Sequence, residues 1–237
     1  EFEIYYQPIV EVGSEEVIAA EALIRWKHPQ YGLIPPDVFI SLMEKTGFII
    51  KLGQYVLEEV LKQQKRWESF NFKPVEISIN VSMVEINTGQ FVHHVERKLS
   101  EYQVHPELIK FEITEGLAMI NESETEKYFL ELKKIGVGIS LDDFGTGYTS
   151  FGYLKKFPAD NVKIDKSLVD YILTNEEDQR IVKAIIELAH TLGMKIVVEG
   201  IENKKMVDLI ASYGCDYMQG YYFSKPLPVF EFQKLIR

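Results

Sequence analysis

Short β-branched runs alternate with stretches of helical period along the whole chain, and this alternation restricts the fold more than any single motif. The strand-like runs are 2–10, 17–25, 75–82, 108–114, 137–143, 161–166, 195–199 and 217–222, eight in all. Between them, residues 53–67 set Val56, Leu57, Val60 and Leu61 on one face, and 89–102 do the same with Phe91, Val92, Val95 and Leu99. A helix near 124–135 has Ser123 and Glu126 at capping-box spacing and stops at Gly136. Further helices are expected over 177–192, over 203–213 and from about Pro228. Eight strands with intervening helices in 237 residues predict an α/β fold, a TIM-like (β/α)8 barrel. Only Glu11 to Glu16 separate the first two runs, with a turn signal at Gly13-Ser14. That is too short for a parallel crossover, so the first strand is expected antiparallel to the second. An open doubly wound sheet would want a glycine-rich loop after an early strand, and the sequence has none. There is no internal repeat, low-complexity tract or linker, so 1–237 reads as a single domain.

A net charge of −10 argues against a DNA or RNA polymer, which is normally gripped by a basic face. It leaves room for a small anion held through bound cations. Cys215 is the only cysteine, so no intrachain disulfide can form; it reads as a buried filler, and a reducing compartment is expected. No apolar run reaches the roughly 18 residues of a membrane span, and no basic-then-apolar leader opens the chain. The expectation is a cytoplasmic domain cut from a longer protein, whose parent is free to be membrane-anchored.

Barrel enzymes carry their chemistry at the carboxyl ends of the strands. Here those ends hold Glu21, Asn80 and Ser82, Glu112 and Glu115, Asp142-Asp143, Lys163 and Asp165, Glu199, and Gln219. Barrel strands covered on both faces are expected to be apolar, and an unpaired buried carboxylate costs several kcal/mol. Converging acids point to a cation cluster, and an all-oxygen ligand set selects hard ions such as Mg²⁺ or Mn²⁺. Asp142 and Asp143 reach one centre only if the strand ends there, and Phe144-Gly145-Thr146-Gly147 supplies a break. Two metals a few ångströms apart suit in-line displacement at a phosphodiester. Lys163, between Val162 and Ile164, is either a surface residue at a strand end or a cation that orients water among the acids. Arg25 is either a phosphate clamp or half of an ion pair. His93 and His94 read as solvated helix residues, and Gly145-Thr146-Gly147 lacks the lysine of a phosphate-binding loop.

The segment EALIRW at 21–26 resembles the signature of the EAL family of bacterial cyclic-di-GMP phosphodiesterases. The likeness continues through YYQPIV at 5–10, HPQYGLIPP at 28–36, INVS at 79–82, FEITE at 111–115, LDDFGTGYTS at 141–150, VKID at 162–165, VVEGIE at 197–202 and QGYYFSKPLP at 219–228. The resemblance implies a barrel with an antiparallel first strand. It implies two ions, Mg²⁺ or Mn²⁺: Glu21, Asn80, Glu112 and Asp142 would hold the first, while Asp142, Asp143 and Glu199 would hold the second. Lys163 would hold the nucleophilic water. Glu199 is also viewed in the family as a general base, but a metal-bound carboxylate is a poor base, so metal-activated water oriented by Lys163 is favoured. Glu115 would steady the loop at 144–150, which couples metal binding to homodimerisation. Gln7, Leu23 and Arg25 would contact the dinucleotide, with Asp165 on the same side and Gln219 near metal and water. The implied product is linear pGpG, and a sensory or cyclase domain is expected upstream.

The sequence departs from the family at Gly116, Val198 and Phe151-Gly152; none of these removes a ligand, though Gly116 adjoins Glu115 and bears on the loop. The competing reading is a catalytically silent receptor for cyclic di-GMP or a protein-interaction module. Such members lose a ligand or the lysine, whereas Glu21, Asn80, Glu112, Asp142, Asp143, Lys163 and Glu199 are all filled here.

Overall fold

The computed structural model describes residues 1–118, 122–146 and 154–237, without the side chains of 117, 118 and 122–125. Strands β1 (Phe2–Glu11) and β2 (Val17–His28) form the expected antiparallel hairpin, paired from Phe2↔Trp26 to Val10↔Val17. Its turn uses Gly13 and Glu15 at positive φ, the backbone state that lets so short a connection reverse. A short β3 (Gly32–Ile34) folds back on β2. Then β4 (Glu76–Asn80), β5 (Ile109–Thr114), β6 (Gly138–Phe144), β7 (Asn161–Ile164) and β8 (Lys195–Val198) follow, each parallel to its neighbour. β9 (Tyr217–Met218) is parallel to β8 and antiparallel to β1, which closes the eight-stranded barrel. β10 (Leu227–Pro228) pairs with β1 outside the ring.

Among the described residues, the helices that cover the barrel include α1 (Pro36–Thr46), α2 (Ile49–Ser69), α3 (Met83–Ile86), α4 (Phe91–Tyr102), α5 (Glu115–Ala118), α6 (Glu122–Ile135), α7 (Glu176–Thr191), α8 (Lys204–Ser212) and α9 (Val229–Phe232). α1 did not stand out in the sequence, and α2 begins four residues before the expected 53 because Ile49 and Leu52 continue its buried face. α6 starts at Glu122, so Ser123 lies within its first turn; the side-chain cap expected there is outside the described residues. Gly136 ends α6 at φ +99°, as a left-handed stop requires.

Alternation along the parallel strands sorts the core. Ile77, Ile79, Phe111, Ile113, Ile139, Leu141, Val162, Ile164, Ile196 and Val198 belong to the large apolar cluster shared with the helices, and all are buried. Their neighbours in sequence fill the barrel interior, and these are mostly polar: Ser78, Glu112, Ser140, Asp142, Asn161 and Lys163. A small separate apolar cluster of Ile9, Ala19 and Val197 lies apart from the main core. The expectation of strands apolar on both faces therefore fails for the inner face. Part of the hydrogen-bonding need of these groups is met within the barrel, as when Asn161 donates to Ser140 at 2.7 Å.

Candidate active site

β7 is only four residues long and wholly buried; with Val162 and Ile164 in the apolar shell, Lys163 extends into the barrel mouth. Its Nζ lies 2.6 Å from Glu199 Oε1, 2.9 Å from Glu112 Oε2, and 3.3 Å from both Glu21 Oε2 and Asp142 Oδ1. At 1% exposure it is not a surface lysine. Burial works against the ammonium, but Asp142, Glu112, Glu199 and Glu21 outweigh it and hold Lys163 well above the usual lysine range. The acids divide. Burial pushes Glu112 well above the carboxylate range despite Lys163, and it pushes Glu199 up to about 7. Glu21 is equally buried, yet Lys163 and hydrogen bonds from Gln219 and Asn80 hold it below its ordinary value.

Those hydrogen bonds tie four strands together. Asn80 Nδ2 donates to Glu21 Oε1 at 2.7 Å, and Gln219 Nε2 donates to Glu21 Oε2 at 2.8 Å and to Gln7 Oε1 at 3.1 Å. Gln7 sits opposite Glu21 in the hairpin register and donates to the Ser224 carbonyl at 3.2 Å. β9 stops early beside this network because the backbone of Gly220 lies against Ile201, where an added Cβ would meet the Ile201 oxygen at 2.2 Å. No residue but glycine fits that approach.

Asp142 and Asp143 correct one expectation: the strand does not end at them. β6 runs on to Phe144, and a register shift against β7 falls between Leu141 and Phe144. Asp143 takes φ 54°, so a bulge re-aims it. Burial, then Asp142 and Asp165, push the Asp143 carboxyl up to about 6. Just beyond, Gly145 at φ +95° donates its N–H to Glu115 Oε2 at 2.9 Å. Glu115 therefore holds the start of the 144–150 loop. Residues 147–153, which include the rest of that loop and the Phe151-Gly152 departure, lie outside the described residues.

The expected substrate contacts are set around this centre. Leu23, Arg25, Asn80 and Thr114 line a cavity of about 290 Å³ that continues between Pro36, Ile40, Leu52 and Val56. Arg25 is half-buried; it donates to the Ile24 carbonyl at 2.9 Å and lies 5.8 Å from the Tyr5 ring centre, and among the described residues it has no carboxylate partner. Asp165 lies just past β7 and accepts from the Ser167 N–H at 3.0 Å, so it organises the following turn as well as facing Asp143. Two acids on this side, Glu44 and Glu85, were not singled out in the sequence. The Ser82-Met-Val-Glu85 spacing is a capping-box signal that could have found the second.

The donor set matches hard divalent cations: carboxylate oxygens and one amide, with Glu112 Oε1 buried and without a hydrogen-bond partner among the described residues. As the side chains stand, no three His, Cys, Asp or Glu residues among those described surround an ion-sized point, because the carboxylates turn on the Lys163 ammonium. Cys215 is buried and its thiol is pushed up to about 12, which removes it from nucleophilic chemistry. Among the described residues no helix is long and apolar enough to cross a membrane.

Comparison with known proteins identifies the family. The family model described as EAL domain matches residues 1–226. The bifunctional diguanylate cyclase/cyclic di-GMP phosphodiesterase MucR of Pseudomonas aeruginosa is 37% identical over 225 residues, 95% of this chain and 33% of its own length. The cyclic di-GMP phosphodiesterase NbdA of the same organism is 33% identical over 237 residues, 100% of this chain and 30% of its own. A solved structure of the PaMucR phosphodiesterase in complex with c-di-GMP superposes with a TM-score of 0.94 at 36% identity, covering 98% of this chain and 94% of that one. The chain thus spans about a third of the length of these curated relatives. With a barrel closed by an antiparallel first strand and the matching sequence over nearly all its length, the chain belongs to the EAL domain family.

Proposed function

We propose that this chain is a metal-dependent phosphodiesterase that hydrolyses cyclic di-GMP to linear pGpG. The observation that carries the reading is a fully buried ammonium, Lys163, ringed by four carboxylates; Glu21 among them lies within β2, which runs on past the rim to His28 rather than ending there. So many acids held at one point suit a centre that exchanges protons and cations during function, and they would destabilise a purely structural core. The relatives named as cyclic di-GMP phosphodiesterases support the choice of substrate.

Glu21, Asn80, Glu112 and Asp142 would hold one Mg²⁺ or Mn²⁺, and Asp142, Asp143 and Glu199 a second. When bound, such ions supply Lewis-acid stabilisation of the phosphoryl oxygens and lower the pKa of water. Lys163 then orients the attacking water, which its reach to Glu199 and Asp142 favours. Gln219, fixed by Glu21 and Gln7, stands beside it. Arg25, which among the described residues makes no ion-pair contact with a carboxylate, is available to clamp a phosphate through its planar fork. Leu23, Gln7 and Asp165 shape the rest of the dinucleotide site. One water adds to phosphorus, the bond to the 3′ oxygen breaks, and that oxygen takes the proton, leaving a 5′-phosphate. Glu115 tethers the 144–150 loop, through which a homodimer would couple to the site. We place the domain in the cytoplasm, within a longer protein that carries a sensory or cyclase domain.

The test is to incubate the domain with cyclic di-GMP and Mg²⁺ or Mn²⁺ and to resolve the nucleotides by chromatography. Appearance of pGpG supports the reading. Tight binding with unchanged nucleotide would instead make the chain a silent receptor.

A further inference from the structure

Asn80 is an exposed side chain on the last residue of β4, so its aim depends on the backbone that follows it. That backbone is gripped at Ser82 from two helices. The Ser82 N–H donates to Glu85 Oε2 at 3.1 Å, from α3. The Ser82 hydroxyl donates to Glu44 Oε1 at 2.7 Å, from α1, while accepting from the Val84 N–H at 3.2 Å. Between the two, the Val81 N–H is held by the Glu112 carbonyl at 3.0 Å.

Two locally unfavourable choices meet at this grip. Glu85 is only 5% exposed, and burial, with Glu44 nearby, pushes its carboxyl up to about 8. Gly53 lies within α2, where glycine costs about 1 kcal/mol relative to alanine. The glycine is there for the acid: a Cβ at 53 would lie 1.7 Å from Glu85 Oε1. A one-turn helix does not need a buried carboxyl to cap it, because a solvated glutamate would serve. Choices that break local rules together, at one point beside a site, mark a positional requirement.

We propose that Glu44 and Glu85 are positioning residues for Asn80, clamping Ser82 so that the amide is presented to Glu21 and to a divalent ion. The clamp itself stands on the apoprotein geometry; only the ion rests on the metal-dependent reading above.

The experiment follows the Asn80 side-chain amide by ¹H–¹⁵N NMR in metal-free protein, assigned by its loss in Asn80→Asp, and Mn²⁺ affinity by electron paramagnetic resonance. Glu85→Ala and Glu44→Ala should displace the Asn80 resonance and weaken Mn²⁺ binding about tenfold, the range for lost support of a metal ligand. Glu85→Gln, which keeps an acceptor for the Ser82 N–H, should restore both. Gly53→Ala keeps every acid but pushes away the flexible end of Glu85; it should fold and reproduce the Glu85→Ala effect. If Glu85→Ala does not fold, Gly53→Ala decides. An Asn80 amide unmoved in Gly53→Ala, or a Glu85→Gln protein as impaired as Glu85→Ala, overturns the proposal. Wild-type protein that binds Mn²⁺ without hydrolysing cyclic di-GMP would sink the proposed activity and leave the clamp standing. Wild-type protein that binds no Mn²⁺ would sink the metal, and the amide shift would still decide the clamp.

Discussion

Replacing Lys163 with methionine keeps the volume of a side chain that is 1% exposed and removes the cation that contacts Glu21, Glu112, Asp142 and Glu199. Breaking a buried ion pair by deleting one partner costs about 3–5 kcal/mol, because the other charge is left uncompensated. Glu112 is already held toward its neutral form and Glu199 is pushed up to about 7, so part of the charge is absorbed by protons and the loss falls within that range. With a urea slope of about 1–3 kcal/mol per molar, the metal-free midpoint at pH 8 should fall by roughly 1–5 M. The pH dependence has a definite sign. Lysine pKa values raised by folding contribute stability that is complete below the unfolded value of about 10.4, so wild type keeps this contribution from pH 5 to pH 8. In Lys163→Met, Glu112 and Glu199 lose their counter-charge and are pushed up further, so the variant gains relative stability as pH falls and they take up protons. The gap between the two proteins should therefore be larger at pH 8 than at pH 5. Saturating Mn²⁺ should narrow it, because the ion binds the folded state and binds more tightly where no ammonium competes for the carboxylates. Equal midpoints at pH 8 without metal, or a wider gap at pH 5, would refute the reasoning.

Glu21→Ala and Glu199→Gln should each abolish release of pGpG; a rate near wild type in either removes that residue from the site. Lys163→Ala should retain Mn²⁺ binding while turnover drops sharply, and loss of binding would make the lysine structural. Glu115→Ala leaves the Gly145 N–H without its acceptor, at a cost of about 1–3 kcal/mol, so hydrogen exchange at Gly145 should speed up while that at Ile164 is unchanged. Cys215, with its thiol pushed up to about 12 inside the core, should resist alkylation in the native protein and react once urea unfolds it; rapid native labelling would contradict its burial.

Much of the architecture was legible because its causes are local. The antiparallel first strand follows from a connection too short to cross over, and the hairpin is paired as that length requires. The strand-end acids could be found by counting along each run, since a barrel gathers its strand ends at one rim. Other features were not local. Polar groups on the inner face bond from one strand to the next, as Asn161 and Ser140 do over 21 residues of sequence. The bulge that turns Asp143 into the site arises from the register of β6 against β7, and no residue-by-residue pattern encodes that offset. Lys163 was undecided between a surface and a buried role for the same reason. Its ion-pair partners lie up to 142 residues away, and burial beside four carboxylates is a property of the closed ring. Chain chemistry determined which groups reach the rim and that they call for cations. Only tertiary packing decided that an ammonium would sit at their centre, that Glu112 and Glu21 would be driven in opposite directions, and that Ser82 would be held from two helices: each depends on burial and distance between segments the sequence keeps apart.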